Sequence, residues 1–299
     1  MKRKTLFPAL FYILCFVSCN SSTGKVSVGE TQKDSITLQG TVPFEYDSFK
    51  KGIILDAIVN DTLHLKAFFD VGAWNVAMSG VLLKKGNENQ NIIVNDTITP
   101  VKLQIGSWIY EQSYTEYINN EFLFNFHGCD LLFGWIFFKG KIIEISFEHH
   151  YIRELENIED LGGYDKIPFK FLNERIPFVK GKACIKGKTV EGEFIIDTGY
   201  NGTIKISSSL IKKYKISTRD DFEFESVGLA KNNKNVRSNA DTIQIGCSYI
   251  TNTIAFLETE KQAHFPVGID GLIGNKFFDN FSVVLDFKNN YLYLKPIEK

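Results

Sequence analysis

Apolar residues along this chain come mainly in short runs of strand length, and few stretches show the i, i+3, i+4 spacing of a long amphipathic helix. Phe194-Ile195-Ile196 is such a run and predicts a strand covered on both faces. It delivers an ionisable residue, Asp197, to a turn, where Thr198 and Gly199 follow and Gly199 lets the backbone reverse tightly. A carboxylate at the mouth of an apolar strand is costly unless it is hydrogen-bonded or used. One earlier run differs in kind. Leu6 to Val17 follows Lys2, Arg3 and Lys4 and has the length of a signal-peptide core, too short to span a bilayer comfortably. No other segment approaches a membrane span. Asn20 to about Asp34 is polar and reads as a flexible tether.

The apolar and polar pattern repeats. Leu103-Gln104-Ile105-Gly106 recurs as Ile243-Gln244-Ile245-Gly246. Gly128, Asp130, Gly134, Phe137 and Phe138 recur as Gly268, Asp270, Gly274, Phe277 and Phe278, and Phe147 and Tyr151 recur as Phe287 and Tyr291. All these pairs lie 140 positions apart. Upstream, Thr62 and Thr189 each follow a tight turn, Asn60-Asp61 and Gly187-Lys188, and each lies eight residues before an Asp. Phe68-Phe69-Asp70-Val71-Gly72 therefore stands where Ile195-Ile196-Asp197-Thr198-Gly199 stands. A helix start follows each loop, at Ser79 to Lys85 and Ser207 to Lys213, with Ser as the N-cap. Each copy reads as hairpin, Asp loop, helical turn, polar excursion, strand pair, short helix and closing hairpin. The excursion is longer in the second copy, around Phe222 to Ala240, with Gly86 to Pro100 as its shorter counterpart. Either is a flap over a cleft or an ordinary exposed hairpin. The pattern breaks near Glu154 to Asp165, which divides the chain into a signal segment (1–18), a tether (19–34), a first lobe (35–155) and a second lobe (156–299).

Composition adds limits. The chain is rich in Phe, Tyr, Ile and Val and poor in long helical patterns, which favours an all-β protein. Removing Lys2, Arg3 and Lys4 with the signal segment lowers 34 basic residues to 31 against 35 acidic ones, a balance that does not attract nucleic acid. Beyond Cys15 and Cys19, Cys129, Cys184 and Cys247 remain, an odd number without framework spacing, so at most one disulfide could form. His149-His150 lacks helical metal spacing, and His127, Cys129 and Asp130 have no second ligand pair. No nucleophile elbow or phosphate-binding loop is present, and no metal or organic cofactor is expected.

Asp197-Thr198-Gly199 resembles the active-site loop of the bilobal aspartic proteases, retropepsin-like and pepsin-like. Ile269-Asp270-Gly271-Leu272-Ile273-Gly274 with Asn275-Lys276-Phe277-Phe278 resembles their second signature. The resemblance implies an all-β, two-lobed fold, each lobe a small closed β-barrel with one or two short helices, related by internal duplication. It further implies a catalytic pair, Asp70 and Asp197, on active-site loops carrying Val71, Gly72, Thr198 and Gly199. Two carboxylates sharing a water can hydrolyse an amide, because a close pair cannot easily ionise twice; one stays an acid while the other acts as base. That split is a known property of the aspartic proteases. The expected partner is an extended peptide or protein, and the expected state is a monomer.

The first loop departs from the pattern: Val71 stands where Thr or Ser normally locks the two loops together. This keeps a second reading open, a non-catalytic peptide-binding protein with a degenerate cleft. A third is a homodimer that uses Asp197 twice. Asp130 and Asp270 read as turn-bonding side chains, and Trp74 and Tyr200 as either cleft lining or packing. Ser18-Cys19 resembles a bacterial lipobox, although Phe16 stands where Leu is usual. It implies a Cys19-lipidated protein anchored to a membrane of the bacterial cell envelope; the alternative is a plain secretory signal peptide with an incidental Cys.

Overall fold

The computed structural model describes residues 40–46, 52–79, 93–94, 97–98, 101–112, 116–118, 128–158, 161–219, 221–227, 232–259 and 265–298. The signal segment, Cys19, the tether and the helix start expected at 80–85 lie outside them. Among the described residues no helix is long and apolar enough to cross a membrane.

The chain is mostly strand and two-lobed. Its first half runs β1 (Thr41–Pro43), β2 (Glu45–Tyr46), β3 (Ile53–Val59), β4 (Leu63–Asp70), β5 (Val76–Ser79), β6 (Ile93–Val94), β7 (Thr97–Ile98), β8 (Val101–Ile105), β9 (Trp108–Gln112), β10 (Glu116–Ile118), β11 (Leu131–Gly134), a 3-10 turn (Trp135–Phe138), β12 (Ile142–Ser146) and β13 (Tyr151–Glu154). The second half runs β14 (Asp165–Pro168), β15 (Lys170–Leu172), β16 (Ile176–Ile185), β17 (Lys188–Asp197), β18 (Ile204–Ile206), α1 (Ser208–Lys213), β19 (Phe222–Val227), β20 (Asn232–Ile245), β21 (Ser248–Glu258), β22 (Gly271–Gly274), α2 (Asn275–Phe278), β23 (Phe281–Asp286) and β24 (Tyr291–Pro296).

In the second half, β16-β17-β22-β18-β21-β20 closes on itself through a β16–β20 pairing, so the sheet is a barrel with β15 and β19 as extensions. The first half has the matching order β10-β5-β11-β4-β3-β8-β9. There β9 and β10 occupy the place of the single long β21. Alternation explains the barrel walls: in β8, Val101, Leu103 and Ile105 are buried while Lys102 and Gln104 are partly exposed. In β17 the alternation disappears because both faces are covered. Phe194 and Ile196 point into the main core, while Ile195 joins a second cluster with Phe178, Tyr200, Phe256 and Leu272.

A six-stranded sheet, β1-β13-β12-β23-β24-β14, joins the halves. At its centre β12 and β23 run antiparallel with Glu144 opposite Val284. These two positions carry the same offset as the repeated motifs, so a local two-fold axis passes between them. That axis relates the two copies of each repeated element and brings together those that lie close to it.

Two local expectations sharpen. Ser207 caps α1, its Oγ accepting from Leu210 N at 3.3 Å. The turn before Thr189 is centred one residue earlier than expected, on Lys186-Gly187, both at positive φ, with Ile185 paired to Lys188. The reason is that Lys188 still has a ladder partner and so belongs to the strand.

Candidate active site

Asp70 and Asp197 are each the last residue of a central strand, and each lies beside the glycine that ends a parallel neighbour. Asp70 pairs with Gly134 and Asp197 with Gly274. A Cβ on Gly134 would lie 2.3 Å from Ala73 O, and one on Gly274 would lie 2.3 Å from Tyr200 O. These glycines therefore let each loop pass directly over the neighbouring strand end. Each loop closes with a turn, Ala73 N to Asp70 O at 3.1 Å and Tyr200 N to Asp197 O at 3.3 Å. The following carbonyls accept from the short helical segments, Ala73 O from Trp135 N and Tyr200 O from Asn275 N. Ala73 and Tyr200 are thus equivalent, and the second loop is one residue longer before it re-enters the sheet at Ile204 rather than Val76.

The two-fold arrangement brings the carboxylates together. Both are fully buried. A Cβ built on Gly72 would sit 3.1 Å from Asp197 Cγ and 3.1 Å from Asp70 Oδ1, so Gly72 is wedged between the two groups. Asp70 Oδ1 accepts from Gly72 N at 2.8 Å and, across the interface, from Gly199 N at 3.2 Å. Asp70 Oδ2 and both oxygens of Asp197 are buried and accept no well-directed hydrogen bond.

The loops are locked from one side. Thr198 Oγ1 accepts from Val71 N at 2.8 Å and donates to Phe69 O at 3.2 Å. Asn275 Nδ2 in turn donates to Thr198 O. Val71 sits at the position related to Thr198, is fully buried in the core and offers no oxygen, so the reciprocal pair cannot form.

Burial pushes Asp70 up from the ordinary carboxylate range to about 7, even though the Gly72 amide, the Asp197 side chain and the Gly199 amide pull it down. Burial and then the Asp70 charge and side chain push Asp197 well above the ordinary range. The N–H groups of Tyr200 and Gly199 pull the other way on Asp197 without making a well-directed bond to it. The two groups titrate as one coupled unit. Two amides favour the charged form of Asp70.

The remaining candidates fall on definite sides. The Asp130 and Asp270 carboxylates accept from Lys66 N and Glu193 N in matching turns, which accounts for them structurally. Tyr200 is buried, its ring over Gly202 and Gly274 and edge-on to Phe256. Trp74 is half-exposed and packs edge-on against Trp135. Both polar excursions contain hairpins, β6–β7 and the longer β19–β20. Cys129, Cys184 and Cys247 are free thiols. Among the described residues no three His, Cys, Asp or Glu side chains converge as a metal site. The sequence reading missed Asn275 and Trp135 as loop supports; the repeat does align them, and their difference in type was the available signal.

No protein-family model matches the sequence, and no curated protein matches it. Among solved structures, the crystal structure of aspartic proteinase from Irpex lacteus is similar, with a TM-score of 0.54 over 87% of this chain and 97% of that chain, at 12% identity. The fold is acid-protease-like. At that identity the likeness speaks for the architecture and not for the reaction. Within this acid-protease-like fold, Asp70 and Asp197 occupy the strand ends at the interface of the halves.

Proposed function

We propose that this protein is an aspartic endopeptidase, in which Asp70 and Asp197 activate a water for attack on a peptide bond. The observation that carries the reading is the pair itself: two buried carboxylates, supplied by equivalent strand ends of two repeats, both made weaker acids by burial. Asp70, with two amides at Oδ1, takes the role of base. Asp197 takes the role of acid and protonates the leaving nitrogen. Attack is direct, with no covalent intermediate. An extended peptide lies between the lobes and borrows backbone hydrogen bonds from exposed strand edges. Water and peptide reach the pair only after the cleft opens, because both carboxylates are closed to solvent here.

One alternative has observations of its own. Val71 removes half of the lock between the loops, and the pair is sealed, which suits a peptide-binding protein that does not cut. A peptide carrying a tetrahedral hydroxyl in place of the scissile carbonyl separates the two. A hydrolase binds it at least a hundred-fold tighter than the matching substrate, on the order expected for transition-state mimics. A binder treats both alike. A homodimer sharing Asp197 is unnecessary to either reading, since Asp197 meets a second carboxylate within its own chain.

The same reading places the protein at the bacterial cell envelope, held by lipid on Cys19. Its support is the basic start, the apolar run Leu6 to Val17 and Ser18 before Cys19. Cys19→Ala is expected to move the protein from the membrane fraction to the soluble one; retention in the membrane would refute the anchor.

A further inference from the structure

The loop carrying Asp70 lacks its own hydroxyl, yet a different set of side chains converges on it from the other half of the chain. Trp74 ends the loop, and its ring meets Trp135 edge-on, 5.0 Å between centroids. Trp135 opens the 3-10 turn at the position where the second half has Asn275. Asn275 supports its own loop with a hydrogen bond from its side-chain amide to Thr198 O. The Trp135 indole instead reaches across the halves, Nε1 donating to Arg175 O at 2.6 Å. Arg175 follows a tight turn, Asn173-Glu174, with both residues in the left-handed region, between β15 and β16. That turn presents the guanidinium over the Trp74 ring, 5.8 Å from its centroid. Phe171 of β15 packs on Trp135 at 4.4 Å, which fixes the hairpin against the first half. Arg175 makes no ion pair among the described residues, so its cation is engaged by the indole face.

The related contact in the other direction is polar. Tyr46 of β2 donates to Asp279, which follows α2, at 3.4 Å. Each half thus sends an early strand onto the other's short helical segment, and in the second-half direction that contact extends to an active-site loop.

We propose that Arg175, Trp74 and Trp135 form a cross-lobe clasp that positions the Asp70 loop, supplying from outside the restraint that a hydroxyl at position 71 would supply from within. All three are positioning residues: they act on Asp70 through its loop. The inference rests on Asp70 and Asp197 being a functional pair, but its test does not depend on cleavage.

The test is amide hydrogen exchange at Val71, Gly72 and Ala73, with Tyr200, whose amide bonds within its own loop, as the internal control, in the wild type, Arg175→Ala, Arg175→Lys, Val71→Thr and the double variant Arg175→Ala with Val71→Thr. Arg175 is exposed, so its replacement leaves the core intact. Arg175→Ala is expected to speed exchange at Val71 to Ala73 by about five-fold, the scale of one lost cation–π contact of roughly 1 kcal/mol. Tyr200 should be unaffected. Arg175→Lys keeps a cation over the ring and should recover part of the protection. Val71→Thr should restore it in the Arg175→Ala background, because the hydroxyl then holds the loop. Unchanged exchange in Arg175→Ala, or an equal rise at Tyr200 and throughout β16, would overturn the clasp. Absence of peptide cleavage by the wild type would count against the hydrolase and leave the exchange pattern as the judge of the clasp.

Discussion

The two Asp loops begin as copies and are held by different physics. The Asp197 loop is polar: Thr198 locks outward into the first half, and Asn275 holds the loop from behind. The Asp70 loop is apolar beyond its acid: Val71 is buried in the core, Ala73 leaves space, and Trp74 leans on Trp135 and Arg175. Yet Asp70 itself is the better bonded carboxylate, with two amide donors, while Asp197 has none that is well directed. The Thr198 hydroxyl and the Gly199 amide of one loop reach across to the other, with no matching hydroxyl in return. A duplicated site can therefore divide labour: the receiving loop stabilises charge on its own acid, and the giving loop leaves its acid protonated.

The sharpest way to break this comparison is to neutralise the acids in turn. Asp197→Asn and Asp70→Asn are each expected to lower peptide cleavage by on the order of 10³-fold or more, and the double variant to be no worse, because groups acting as a unit fail together. Independent losses that multiply would show two separate sites.

Thr198→Val should come next in size. It removes two buried hydrogen bonds and leaves Val71 N and Phe69 O without that partner, a cost of about 1–3 kcal/mol of stability. Thermal unfolding would show the loss, and activity should fall with it. If Thr198→Val unfolds at the wild-type temperature, the one-sided lock does not matter to the fold.

Stability against pH tests the electrostatics. A carboxyl raised to about 7 in the folded protein binds a proton that the unfolded chain has already lost, so stability falls as pH rises from the ordinary carboxylate range toward about 7. Asp197, pushed in the same direction, continues the trend above that. Asp70→Asn should flatten this slope and raise the melting temperature at pH 8 relative to the wild type. A wild type that gains stability from these two groups between pH 5 and 8 would show that their burial is misjudged.

Val71→Thr is the smallest and most informative change. Its hydroxyl would face the positions that mirror Val71 N and Phe69 O, and a bond made there is worth about 1 kcal/mol, against a similar cost of burying the group. Melting temperature should move little, and cleavage should hold or rise. A large drop in either would show that the first loop has repacked around valine beyond recovery by a hydroxyl.

Much of this was legible before any coordinates. The constant offsets of the repeat foretold two related halves, and the strand-end Asp residues foretold the place of the acids, because both follow from local pattern. Ser207 as a helix cap was equally local. Beyond the paired acids and the loop lock that the family resemblance implied, the contacts that cross the two-fold axis were not legible. Tyr46 on Asp279 and Arg175 on Trp74 join residues far apart in sequence, with no periodicity to betray them. Tyr200 and Trp74 looked alike in sequence and diverge in space. The longer second loop, with Gly202 beneath the ring, lets Tyr200 fold inward, whereas Trp74 stays at the rim.

The central claim is that one chain brings Asp70 and Asp197 together as a single hydrolytic unit. It is tested most directly by incubating the purified protein with an unfolded protein substrate from pH 4 to 8 and identifying the cut peptide bonds by mass spectrometry, alongside Asp70→Asn and Asp197→Asn. The account predicts cuts by the wild type and none by either variant. A wild type that binds the substrate without cutting it, or an Asp70→Asn variant that cuts at the full rate, would contradict it.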